Sequence, residues 1–118
     1  MDPEQMKRRT KRFALDIINL VERLPQGQTT RVLGKQLIRC GTSVGANYRA
    51  SCRAKSQPDF IAKMGIVEEE TDETIYWIEL LVESGLVEQA QVAQLLSEAN
   101  QLVAIVVASI RTAKNHKG

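Results

Sequence analysis

Residues 30–53, TRVLGKQLIRCGTSVGANYRASCR, decide the fold. Leu33, Leu37, Cys40 and Val44 recur at steps of four, three and four, the spacing of one helix face. Gln36, Arg39, Ser43 and Asn47 form a polar stripe beside it, and Gly34, Gly41 and Gly45 form a third. A glycine inside a helix costs about 1 kcal/mol relative to alanine. One is a tolerated defect, but three on one face predict the close approach of another backbone. The stretch reads as a central helix with neighbours on several sides.

Working outward, 118 residues suit a single domain, 1–118, with a core large enough to need no staples. With 43% hydrophobic but only 4% aromatic residues, that core must be aliphatic. Alternating β-branched patterns are scarce, so the expected class is all-α. No run of about 18 apolar residues occurs, and the start, MDPEQMKRRTKRF, has no signal-type apolar core. A cytoplasmic protein with no membrane partner is the expectation. Cys40 and Cys52 lie about 18 Å apart along one helix, beyond disulfide reach, and no CxxC or Cys/His cluster accompanies them.

Breaks divide the chain into four helices, at about 3–24, 30–54, 57–84 and 88–114. Pro3 suits a first turn capped by Asp2; Phe13, Ile17, Leu20 and Leu24 face inward, widened by Ile18 and Val21. After Pro25-Gln26-Gly27, Thr29 or Thr30 is the expected cap of the central helix. Ser56 caps the third, and Gly85 closes it in the left-handed conformation. Its inward stripe is Phe60, Met64, Val67, Thr71, Ile75, Ile78 and Val82, with Glu70, Glu73 and Trp77 alongside. The last helix is apolar over more than half its circumference through Val92, Leu95, Leu96, Ala99, Leu102, Val103, Val106 and Ile110, extended by Ile105 and Val107. Such a helix is expected to meet another subunit, and the basic tail after it to be mobile. Short connections make consecutive helices antiparallel: an up-down-up-down four-helix bundle.

The short second turn makes residue numbers on the second and third helices sum to about 112 where they touch. That predicts an Arg39–Glu73 ion pair in a structural polar stripe of Arg39, Ser43, Asn47, Glu70 and Glu73, in or beside the bundle. Its expected role is to fix register, at about 3–5 kcal/mol if broken while buried.

The net charge of +2 conceals an asymmetry. Residues 1–55 carry twelve Lys/Arg against four Asp/Glu, and residues 56–118 four against ten. Mutual pairing of the halves is one reading and a nucleic-acid surface the other. Arg8, Arg9, Lys11, Arg12, Arg49, Arg53 and Lys55 are the candidate phosphate contacts, because backbone binding needs several cations presented together.

The segments QLIRCGTSVGANY and SQPDFIAKMGIVEEETDE carry a resemblance to the four-helix-bundle proteins encoded in intervening sequences of bacterial large-subunit ribosomal RNA genes, a family that includes accessory proteins of diversity-generating retroelements. The likeness spans roughly residues 11–110 and rests on Gln36, Leu37, Arg39, Ser43 and Asn47 on the second helix, and Phe60, Ile66 and Glu73 on the third. It implies a ring-like homopentamer, RNA or DNA as partner, and a nucleic-acid-processing protein such as a reverse transcriptase as a further one. The chain departs from the pattern at Ala50 and Ser51, where many relatives have an acidic residue and glycine, and at Glu69 and Glu70, where Gly-Ser is common.

Catalytic chemistry finds little footing. His116 is the one histidine, so a histidine base, triad or conventional metal site is not expected. Glu68, Glu69, Glu70, Asp72 and Glu73 lack the Glu-x-x-His elements of a di-iron bundle, and no phosphate-binding glycine motif occurs. The expectation is a non-catalytic, cofactor-free, oligomeric nucleic-acid-binding accessory protein; the alternative is a protein-binding scaffold that binds no nucleic acid.

Overall fold

The computed structural model describes residues 1–116. Four helices follow one another: α1 (Pro3–Glu22), α2 (Gln28–Ser51), α3 (Gln57–Glu83) and α4 (Gln89–Asn115). Each packs on its chain neighbour, and α4 closes the square against α1 at the thinnest seam. The result is an antiparallel up-down-up-down bundle, 52 × 21 × 21 Å.

Local chemistry accounts for most helix ends. Asp2 accepts from the Gln5 amide at 2.9 Å while Gln5 accepts from the Asp2 amide, a reciprocal cap. Ser56 accepts from the Asp59 amide at 3.2 Å. Gly85, at φ 81°, ends α3; its amide bonds Val82 and that of Leu86 bonds Leu81, the Schellman pattern. The α2 cap differs from expectation. Gly27 holds it, and Thr30 is buried one turn in, donating to the Gly27 carbonyl at 3.0 Å. Extended backbone at Gly27 starts the helix two residues early, so neither threonine is left at the cap.

The core is aliphatic, as composition demands. Phe13, Ile17, Leu37, Val44, Met64, Val67, Ile78, Leu81, Val92, Leu102 and Val106 are fully buried. On α3 the buried stripe is Met64, Val67, Thr71, Thr74, Ile78 and Leu81, with Ile75 and Val82 only half-buried. Buried Thr10, Thr71 and Thr74 donate to carbonyls one turn back, at 2.7 to 2.9 Å, so no core hydroxyl is orphaned. Ile18, expected inward, is exposed.

The three α2 glycines face α1. A Cβ at Gly41 would lie 2.9 Å from Ile17, one at Gly45 3.1 Å from Thr10, and one at Gly34 3.1 Å from Val21. This is the backbone approach the sequence predicted, and it sets the α1–α2 register: contacting residue numbers sum to 55–58.

By length and composition α4 is apolar enough to cross a membrane. In the bundle Val92, Ala99, Leu102 and Val106 are buried, and Ile105 and Val107 are half-buried. No large hydrophobic side chain on α4 is exposed among the described residues. Leu95, Leu96, Val103 and Ile110 are half-buried as well, so the apolar circumference expected to meet another subunit is only partly covered within the chain. The last turn is held too: Gln57 donates to the Ala113 carbonyl and, at 2.7 Å, to that of His116. Residues 111–115 are therefore helical rather than a mobile tail. Of that expected tail, only Lys117 and Gly118 lie outside the described residues.

Candidate nucleic-acid interface

A basic groove runs between α1 and α2 at the end where the chain starts. Lys7 and Lys11 sit one turn apart on α1, so their side chains stack along one flank, with Arg8 beside them. Arg49 rises from the last turn of α2 opposite them, where it also meets the negative end of the helix dipole. Thr10, Thr42, Gly45 and Ala46 floor the space between. Such small residues cannot fill it, and a groove of about 390 Å³ remains. Arg8, Lys11 and Arg49 are exposed and have no ion-pair partner among the described residues; Lys7 reaches Glu4 at 3.3 Å.

Other expected contacts stand elsewhere. Arg12 points outward and pairs with Asp16 at 3.3 Å. Arg53 and Lys55 are exposed in the α2–α3 turn. Arg9 is not a free cation. It grips Glu98 of α4 through Nε at 2.7 Å and Nη2 at 2.8 Å and donates to Gln101 at 2.7 Å. Those bonds raise the guanidinium pKa, and they clasp the thin α1–α4 seam. No local signal could have revealed a pair 89 residues apart. Lys7, left out of the expected contact set, was legible from its four-residue spacing to Lys11.

The polar stripe lies on the opposite flank of α2. Arg39 bonds Glu73 through Nη2, and its Nη1 lies 3.6 Å from Glu70. The Trp77 indole N–H also donates to Glu73, at 3.0 Å. The predicted register is met, but beside the bundle: the Arg39 side chain is 52% exposed and that of Glu73 34%. Glu70, at 17%, is the buried member, and burial raises its carboxyl above the usual range while Arg39 pulls it down. Ser43 and Asn47 do not bond across the seam. Ser43 donates to the Arg39 carbonyl and Asn47 to that of Ser43, both within α2, because on a single helix the nearest acceptor is the carbonyl one turn back.

The nucleophile-type groups are muted. Burial pushes both the Cys40 thiol and the Tyr48 hydroxyl up, so each stays protonated at neutral pH. Among the described residues no three His, Cys, Asp or Glu side chains converge as metal ligands.

The 23S rRNA-intervening sequence protein model matches residues 4–108. The chain belongs to that family. A crystal structure of a protein of unknown function from the S23 ribosomal protein family of Bacteroides thetaiotaomicron superposes with a TM-score of 0.83 at 35% identity, covering 88% of this chain and 96% of that one. No curated protein matches. Within the family motif, Arg39 and Glu73 form the half-exposed network, Phe60 is half-buried and Ile66 is exposed. Glu70 adds a second carboxylate to Arg39.

Proposed function

We propose that this member of the intervening-sequence protein family is a cytoplasmic, non-catalytic, homo-oligomeric accessory protein that binds the phosphate backbone of RNA or DNA in the α1–α2 groove. One observation carries the reading: Arg8, Lys11 and Arg49 line one open groove with no ion-pair partner among the described residues, and Glu4, the carboxylate that also lines it, pairs with Lys7 at 3.3 Å. Phosphate needs several cations at once and no base-reading surface. Small floor residues let a backbone approach closely. Two free thiols, Cys40 and Cys52, suit a reducing compartment.

The test is binding of mixed-sequence RNA and DNA across a salt series. Replacing Lys7, Arg8, Lys11 and Arg49 by glutamine should weaken binding and flatten the log–log salt slope by about 3, at roughly 0.7–0.9 per lost phosphate contact. Melting should hardly move, since solvated cations contribute little. Unchanged affinity and slope would sink the proposal. They would favour the second reading, a protein-binding scaffold, which the exposed apolar residues Leu15, Ile18 and Ile38 support.

A further inference from the structure

We propose that the end of the bundle where α1 begins holds a binding site for a small anionic amphiphile. Its apolar body sits among Met6, Phe60, Met64 and Ile105, and its anionic head meets Lys55 and the Tyr48 hydroxyl. The site shares only Lys7 with the α1–α2 groove and does not rest on nucleic-acid binding.

Helix register makes the opening. Arg9 meets α4 at Glu98 and Gln101, so antiparallel counting sets Pro3, the start of α1, level with about residues 104–107. Helix α4 runs on to Asn115. Its last turns therefore have α3 on one side, where Gln57 holds the Ala113 carbonyl, and no α1 on the other. Ala108, Ser109 and Thr112 are too small to fill that corner. A cleft of about 750 Å³ remains, within the range of roughly 300–1,000 Å³ of small-molecule sites. All three methionines of the chain, Met1, Met6 and Met64, line it, and unbranched thioethers reshape readily around an apolar guest.

Tyr48 points to an occupant. It is only 8% exposed, and a buried tyrosine hydroxyl ordinarily finds a partner. This hydroxyl bonds no oxygen or nitrogen among the described residues; the Cys52 thiol, a weak acceptor, stands beside it. No enclosed side-chain oxygen among the described residues lacks a partner, so the hydroxyl opens outward. It does so where the cleft joins a second one, of about 700 Å³, for Met1, Tyr48, Phe60 and Ser109 line both. Burial keeps the hydroxyl protonated and able to donate.

Charge sets the sign of the guest. Lys7 and Lys55 line the second cleft, and no Asp or Glu lines either one. The carboxylates nearby are engaged. Asp2 caps the Gln5 amide, Glu4 pairs with Lys7, and Asp59 takes Lys63 at 2.6 Å and the Lys55 amide at 3.0 Å. The Lys55 ammonium has no ion-pair partner among the described residues. An anion there gains a free cation and an unsatisfied hydroxyl, with apolar space behind them. A neutral chain gains the apolar space alone.

Fluorescence titration of the full chain with anilinonaphthalene sulfonate, at low salt and without nucleic acid, tests this. One saturable site per chain is expected. Decanoate should displace the probe about tenfold more tightly than decanol does, and acetate should not displace it. Tyr48→Phe should weaken decanoate binding about tenfold yet melt no lower than the parent, since the hydroxyl holds nothing within the chain. Lys55→Gln should weaken it about threefold. Ala108→Trp fills the cleft from an exposed position and should abolish binding; Ile38→Ser, on the α1–α2 face, should leave it intact. No saturable binding, decanol matching decanoate, displacement by acetate, or binding that survives Ala108→Trp overturns the site. A lower melting temperature for Tyr48→Phe would show the hydroxyl already partnered and overturns it as well.

Discussion

On its α1 side helix α2 presents Gly34, Gly41 and Gly45; on its α3 side it presents Gln36, Arg39, Ser43 and Asn47. The first seam is steric: the glycines lie so near Ile17, Thr10 and Val21 that no side chain fits between. The second is electrostatic at its margin, with Arg39 holding two carboxylates at the edge of solvent. Close packing has no substitute once a backbone has moved in, because the interior has no slack. A half-exposed ion pair has water as its substitute. The two seams therefore fix register with unequal force, and the glycine seam is the stronger.

The sharpest way to break the comparison is Gly41→Ala. Its Cβ would meet the branched Ile17 side chain at 2.9 Å from two atoms, and overpacking of this kind costs about 1–3 kcal/mol. Better helix propensity offsets about 1 kcal/mol. A net loss of up to about 2 kcal/mol should lower the melting temperature by about 4 °C per kcal/mol. Gly65→Ala is the control, since nothing lies within 4 Å of its added Cβ; calorimetry should show a gain of up to about 1 kcal/mol. Like signs for both substitutions would show that close approach is not what the α1-facing glycines provide.

Arg39→Ala should cost less, about 1 kcal/mol, rather than the 3–5 kcal/mol expected of a buried pair. Glu73 keeps the Trp77 indole and water, so it is not stranded. Glu70 is the more buried partner and should carry most of the loss. In denaturant titrations, Arg39→Ala combined with Glu70→Gln should then lose less than the two separate effects added together. Strict additivity would mean that Arg39 and Glu70 are not coupled.

The smallest effect is a pH dependence. Burial raises the Glu70 carboxyl above its ordinary 4.5. The folded chain then holds that proton more tightly than the unfolded one, so stability falls as pH rises through the window just above 4.5. Glu70→Gln removes this slope. Its melting temperature should equal or slightly exceed the parent's near pH 7, and the advantage should be gone by about pH 4. An advantage that grows on acidification would reverse the sign assigned to burial.

Much of this was legible in the chain. Periodicity marked all four helices, since a buried stripe needs one apolar side every third or fourth residue whatever it packs against. Asp2, Ser56 and Gly85 announced three helix ends, because capping depends on side chains within a few residues. The glycine stripe told of a close neighbour, and a tight turn between α2 and α3 was enough to pair Arg39 with Glu73. Which helix approached the glycines was not written there. Nor was the depth at which the Arg39 network sits, the clasp of Arg9 on Glu98, or which apolar residues the bundle leaves exposed. Ile18 and Ile105 look alike in sequence, yet the first is exposed and the second half-buried. Spacing along a chain sets the angle of a side chain about its own helix. Burial depends on what stands across from it, and that is decided only when four helices share one core.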